Sequence, residues 1–105
     1  MKLVAEGPDA TPQPDHTLIR LLARAHAMRK ELETGHHDSI DACARAMGAT
    51  ASYFSRIVRL AYLAPDITAA ILEGRQPSSL SATRLVETPG LPLGWGEQRK
   101  ALGFA

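Results

Sequence analysis

From residue 18 to residue 32 the apolar side chains fall at Leu18, Leu21, Leu22, Ala25, Met28 and Leu32. That i, i+3, i+4, i+7 spacing is the period of one helix face, so this stretch reads as an amphipathic helix from His16 or Thr17 to Thr34. Arg20, Arg24, Lys30 and Glu31 fall on its other side, and Gly35 stops it as a helix-ending glycine does. Arg29 lies inside the apolar stripe and must either snorkel or find a partner. No stretch of the chain alternates as a strand would, and no internal repeat is visible.

The same punctuation continues downstream. Asp38 or Ser39 caps a second helix, Ile40 to Met47, which Gly48 ends after barely two turns. Thr50 or Ser52 caps a third, expected over Ala51 to Ala64, with Phe54, Ile57, Val58 and Ala61 on one face and Ser52, Ser55, Arg56 and Arg59 on the opposite one. Pro65 suits the first position of a fourth helix, which runs to Leu72 or Glu73 and stops at Gly74. Ser79 or Ser81 caps a fifth, Ala82 to Glu87, broken by Pro89, Gly90 and Pro92. A last short helix spans Trp95 to Leu102. Residues 1–15, with Gly7, Pro8, Pro12 and Pro14 among small and acidic residues, have no helical period and read as a flexible arm. The expectation is therefore an all-α domain of five to six helices over residues 16–105.

A chain of 105 residues fits one such domain. Its apolar content of 45% with only 5% aromatics suits helices packed closely through Ala, Leu, Ile and Val. No apolar run approaches the roughly 18 residues that would span a bilayer, and the first 15 residues lack the pattern of a signal peptide. A cytoplasmic protein without membrane contact is expected. The single Cys43 forms no internal disulfide, and its simplest role is as a small core residue.

Net charge is only +1, so the distribution carries more information than the total. Residues 17–63 hold seven basic groups (Arg20, Arg24, Arg29, Lys30, Arg45, Arg56, Arg59) against four acidic ones (Glu31, Glu33, Asp38, Asp41). Residues 64–105 balance at four of each, and residues 1–16 carry Lys2 against Glu6, Asp9 and Asp15. The positive excess thus lies in the segment that contains the second and third helices, shared with the first.

Those two helices match a helix-turn-helix, and the part expected to carry it is residues 39–64. Two short helices crossed steeply need a small residue in the first and a permissive residue in the turn. Ala44 and Gly48 meet those demands, while Cys43, Met47, Ala49, Phe54 and Ile57 supply apolar side chains at the inward positions. A recognition helix presents its first turns to base edges in the major groove, which places Ala51, Ser52, Ser55 and Arg56 within reach of them. Arg56 is the candidate reader of a guanine, because its planar fork matches that base's two acceptors. Arg59 is expected on phosphate, Tyr53 either donates its hydroxyl to the DNA backbone from the flank of this face or packs its ring at the edge of the core, and Thr50 and the helix start offer N–H groups to a phosphate.

Other clusters read as structural. His36, His37, Asp38 and nearby Cys43 are explained by loop polarity, since adjacent histidines in a loop rarely both reach one ion, and no metal or cofactor is expected. His26 reads as a surface or boundary residue on the first helix, not a catalytic base. Ser78, Ser79 and Ser81 read as capping residues with no paired base, so no catalytic constellation is expected.

The stretch SIDACARAMGATASYFSRIVRLAYLAPDITAAILEGRQPSSLSATRL, followed by LPLGWGEQRKALGF, resembles the C-terminal region of bacterial and phage serine recombinases of the resolvase and invertase family. Its centre is also similar to the DNA-binding helices of centromere-binding partition proteins. The resemblance spans residues 17–105 and rests on the order of the LAPDI, EGRQP and EQR pieces. It implies that Ser52, Tyr53, Ser55, Arg56 and Arg59 occupy recognition-helix positions. A serine recombinase also needs a catalytic domain with a nucleophilic serine, for which the 16 residues ahead of the first helix leave no room, so no DNA cleavage is expected. Gly94 stands where a capping residue is expected and Gly96 where a helix former is, each glycine costing about 1 kcal/mol inside a helix.

Together these features lead to the expectation of a small DNA-binding module, a transcription regulator or recombination accessory protein of a phage or mobile element, that is not an enzyme. Dimerisation on a two-fold site is expected through residues 80–104, where Leu91, Leu93, Trp95, Leu102 and Phe104 cluster, unless these close the core of the monomer. The rival expectation is a protein-binding module, such as a phage protein that blocks a host factor.

Overall fold

The computed structural model describes residues 12–88 and 91–104. Among them the fold is all-α, with α1 (His16–Glu33), α2 (Ile40–Ala46), α3 (Ala51–Val58), a 3-10 segment (Arg59–Tyr62), α4 (Pro65–Leu72), α5 (Ala82–Glu87) and α6 (Trp95–Leu102), and no strand. No helix among the described residues is long and apolar enough to cross a membrane. The chain divides into two compact units, one formed by Arg20–Leu63 and the other by Met1–Ile19 together with Ala64–Ala105.

Helix α1 begins because Asp15 accepts the Leu18 N–H on its Oδ1 at 3.1 Å, satisfying one of the donors that a helix start leaves open. Leu18, Leu21, Leu22, Ala25 and Met28 are buried along its stripe. Leu32 is not, at 38% exposure, so the final turn outruns the buried stripe that the periodicity extends to it. Thr34 donates its hydroxyl to the Glu31 carbonyl at 2.7 Å, and Gly35 at φ +73° closes the helix.

The unit Arg20–Leu63 buries Cys43 and Ala44 from α2, Phe54 and Ile57 from α3, and Leu60, Ala61 and Leu63 beyond. Arg29 resolves its place in the stripe by both routes open to it. Its Nη1 donates to the Ala61 carbonyl at 3.4 Å, its Nε stands 3.7 Å from Glu33 Oε2, and its guanidinium lies 5.8 Å from the centroid of the Tyr62 ring. The third helix is shorter than its apolar pattern suggests. Its α-helical part ends at Val58 and tightens into the 3-10 segment, after which Leu63 and Ala64 are extended. Pro65 accounts for the last of these steps, because its ring disfavours the helical conformation at the residue before it, and Ala64 accordingly sits at φ −54°, ψ +139°.

In the other unit the buried apolar residues are Leu18, Ala64, Ile67, Ile71, Leu80, Leu85 and Leu102. Pro65 opens α4, and Ser81 caps α5 by accepting the Arg84 N–H at 3.1 Å. Gly94 supplies no side-chain cap to α6, and Gly96 lies in its first turn, yet α6 holds eight residues. Its Gln98 is the buried polar residue of this unit: Oε1 accepts the Ala64 N–H at 2.8 Å and Nε2 donates to the Pro92 carbonyl at 2.9 Å. Arg99 holds Asp66 through two hydrogen bonds, so the LAPDI and EQR pieces meet. The EGRQP piece has a second task. Gly74, at φ +76°, accepts the Gln13 N–H at 3.0 Å, and Gln76 Nε2 donates to the Gln13 carbonyl at 3.1 Å. A Cβ at position 74 would stand 2.6 Å from the Pro14 nitrogen, so only glycine admits this segment. The last residues of the expected flexible arm are therefore held, while its residues 1–11 lie outside the described residues, as do Pro89 and Gly90.

Candidate nucleic-acid interface

Helix α2 starts at Ser39, whose Oγ accepts the Ala42 N–H at 3.0 Å. Seven residues later it ends in a left-handed glycine closure. Gly48, at φ +72°, donates to the Arg45 carbonyl at 3.1 Å, and Ala49 donates back to the Ala44 carbonyl at 2.9 Å. A Cβ on Gly48 would meet nothing within 4 Å, so the requirement there is conformational and not steric. Ala44 is fully buried, as a close crossing requires, and Cys43 is 1% exposed. Met47 and Ala49 are half-buried, so the inward positions nearest the turn are covered only in part.

Thr50 begins α3 by accepting the Tyr53 N–H on Oγ1 at 3.1 Å. From there the helix separates two faces. Phe54 and Ile57 are fully buried, while Ser52, Ser55 and Arg56 are exposed, with Thr50 exposed and Ala51 half-buried at the helix start. Tyr53 is 40% exposed, at the edge of this face. Arg56 forms no ion pair among the described residues. Arg59 stands in the 3-10 segment, half-buried, with its Nε donating to the Arg56 carbonyl at 3.1 Å, so its side chain lies along its own helix.

A residue the sequence reading placed merely on the outer side of α1 also belongs to this corner. Arg24 Nη2 donates to the Met47 carbonyl at 3.2 Å, one of the acceptors that the end of α2 leaves open. Its exposed position one turn from Arg20 was legible; its contact, 23 residues away, was not.

The other polar clusters have local explanations. His37 Nε2 lies 2.7 Å from Glu31 Oε2, and among the described residues no three His, Cys, Asp or Glu side chains converge on one point. Burial, and after it the negative charge of Glu31, pushes the Cys43 thiol above its ordinary range, so it stays protonated as a small core group. Of the three serines, Ser81 is the cap, and the Ser79 carbonyl accepts from Arg84 Nη1 at 3.3 Å. The apolar residues between 80 and 104 divide: Leu80, Leu85 and Leu102 are buried, whereas Leu93 is 95% and Trp95 52% exposed.

Comparison with protein-family models, with curated proteins and with solved structures finds no match to this chain.

Proposed function

We propose that the chain binds double-stranded DNA in a sequence-dependent way, with α3 as the recognition helix in the major groove. One observation carries the reading: a glycine-closed corner after α2 leads into a capped helix whose Phe54 and Ile57 are buried while Ser52, Ser55 and Arg56 stand in solvent. Arg56 reads a base, most readily guanine, because a planar fork pairs with both acceptors of that base's groove edge. Ser52 and Ser55 complete the reading face, with Ala51 free of bulk at the helix start. Thr50, Tyr53 and Arg59 stabilise the complex at its flanks through the phosphates.

One such helix makes few contacts, so two copies acting on a two-fold site would reach a useful affinity. The exposure of Leu93 and Trp95 supports pairing through residues 80–104. The resulting protein is a small transcription regulator or recombination accessory factor.

Selection of bound sequences from random duplex DNA tests the reading. Enrichment of a motif, with affinity falling steeply as salt rises and Arg56→Ala losing the preference at one base pair, is the expected result. Absence of enrichment would move the assignment to a protein partner.

A further inference from the structure

Arg24 offers more than a link to the turn. A guanidinium carries five N–H donors, and the bond to the Met47 carbonyl uses one while fixing the fork beside the corner that opens α3. The side chain is exposed and pairs with no acidic group among the described residues. Arg20 stands one helical turn earlier on the same face of α1, exposed and likewise without an ion pair there. Between and beyond them, Ala23 and Ala27 are exposed and add no bulk.

No acidic group of this unit forms an ion pair with Arg20 or Arg24 among the described residues. Glu31 is held by His37 and Glu33 by Arg29, and Glu31 is seven residues past Arg24, roughly 10 Å along the helix axis. That separation is about one Debye length at moderate salt, so these carboxylates do little to cancel Arg20 and Arg24. Arg45, by contrast, has Asp41 one turn before it on α2 and is partly offset.

We infer that Arg20 and Arg24 form a phosphate grip on α1, holding the sugar-phosphate backbone of the duplex whose groove receives α3. The inference rests on the DNA-binding reading of α3 and adds to it a second helix and a contact type that carries no sequence information. A phosphodiester is the ligand that suits it, because each guanidinium fork matches its oxygens, the two arginines stand one turn apart on α1, and Arg24 is pinned to the turn that precedes the reading helix.

The test is a salt series on the full chain with a selected duplex and a random one, comparing the unsubstituted protein, Arg20→Ala, Arg24→Ala and Arg56→Ala. Each α1 substitution is expected to lower the slope of log affinity against log salt by about 0.9 and to weaken both duplexes by the same factor. Arg56→Ala instead reduces the difference between the duplexes. Arg20 has no bond to the turn, so its variant reports the grip even where Arg24→Ala loosens the corner. An unchanged slope for Arg20→Ala, or a change in that variant's sequence preference, overturns the grip while leaving the reading of α3 standing. A protein that binds neither duplex overturns both.

Discussion

Arg99 and Asp66 face each other side-on, Nε to Oδ2 at 2.7 Å and Nη2 to Oδ1 at 2.9 Å, joining helices whose contacting residues are 33 apart in sequence. The hydrogen bonds from Arg99, ahead of its charge, hold the Asp66 carboxyl below the ordinary carboxylate range. A carboxyl lowered by folding stabilises the folded state above its unfolded pKa, and that contribution is lost as pH falls through the lowered value. The stability gap between the unsubstituted protein and Asp66→Asn is therefore expected to be open at neutral pH and to close below about pH 4, the ordinary aspartate value. Urea midpoints across this range check it, and a gap independent of pH would contradict it. The pair is partly exposed, so the effect is small.

Gln98 carries more weight despite its neutrality. Its loss leaves the N–H of fully buried Ala64 without an acceptor, and a stranded buried donor costs about 1–3 kcal/mol. Gln98→Met, which keeps the length of the side chain and discards its polar atoms, should lower the denaturant midpoint accordingly. No loss of stability would show that water replaces the bond.

Gly48 and Gly103 share a left-handed backbone with room around them, so an alanine at Gly48 costs only the conformational term, about 1–2 kcal/mol. Asparagine tolerates that conformation better, and Gly48→Asn should recover part of the loss. Equal melting temperatures for all three residues at position 48 would argue against a left-handed corner in solution.

Gly74 differs from both through the backbone of Gln13 and Pro14 lying against it. Gly74→Ala should displace that segment and expose the Gln13 amide to exchange, whereas Gly103→Ala, whose Cβ would stand 3.6 Å from Pro77, should leave it protected. Hydrogen exchange at Gln13 in the two variants decides the matter.

Short-range chemistry was readable in the sequence because it depends on neighbours a few residues apart. Ser39, Thr50 and Ser81 each accept from the backbone three residues on, and Gly35, Gly48 and Gly74 each take positive φ at a helix end. Asp15 could have been found by the same rule, standing three residues ahead of Leu18. The apolar period misled at Leu32 and at the end of α3, since it continues through Tyr62 regardless of how tightly the backbone winds. Pro65 was the signal only for the non-helical residue before it, Ala64. The exposed Ser52, Ser55 and Arg56 face follows from helix geometry and was legible. The partners of Arg24 and Gln98 were not, because they are 23 and 34 residues away and no periodicity encodes them.

Helix α2 has seven residues, fewer than two full turns. Starting a helix is unfavourable by a factor of roughly 10⁻³, which so short a segment cannot recover alone in water. Its winding must be cooperative with the burial of Cys43 and Ala44, so the corner that aims α3 forms together with its surroundings and has no existence as a preformed piece.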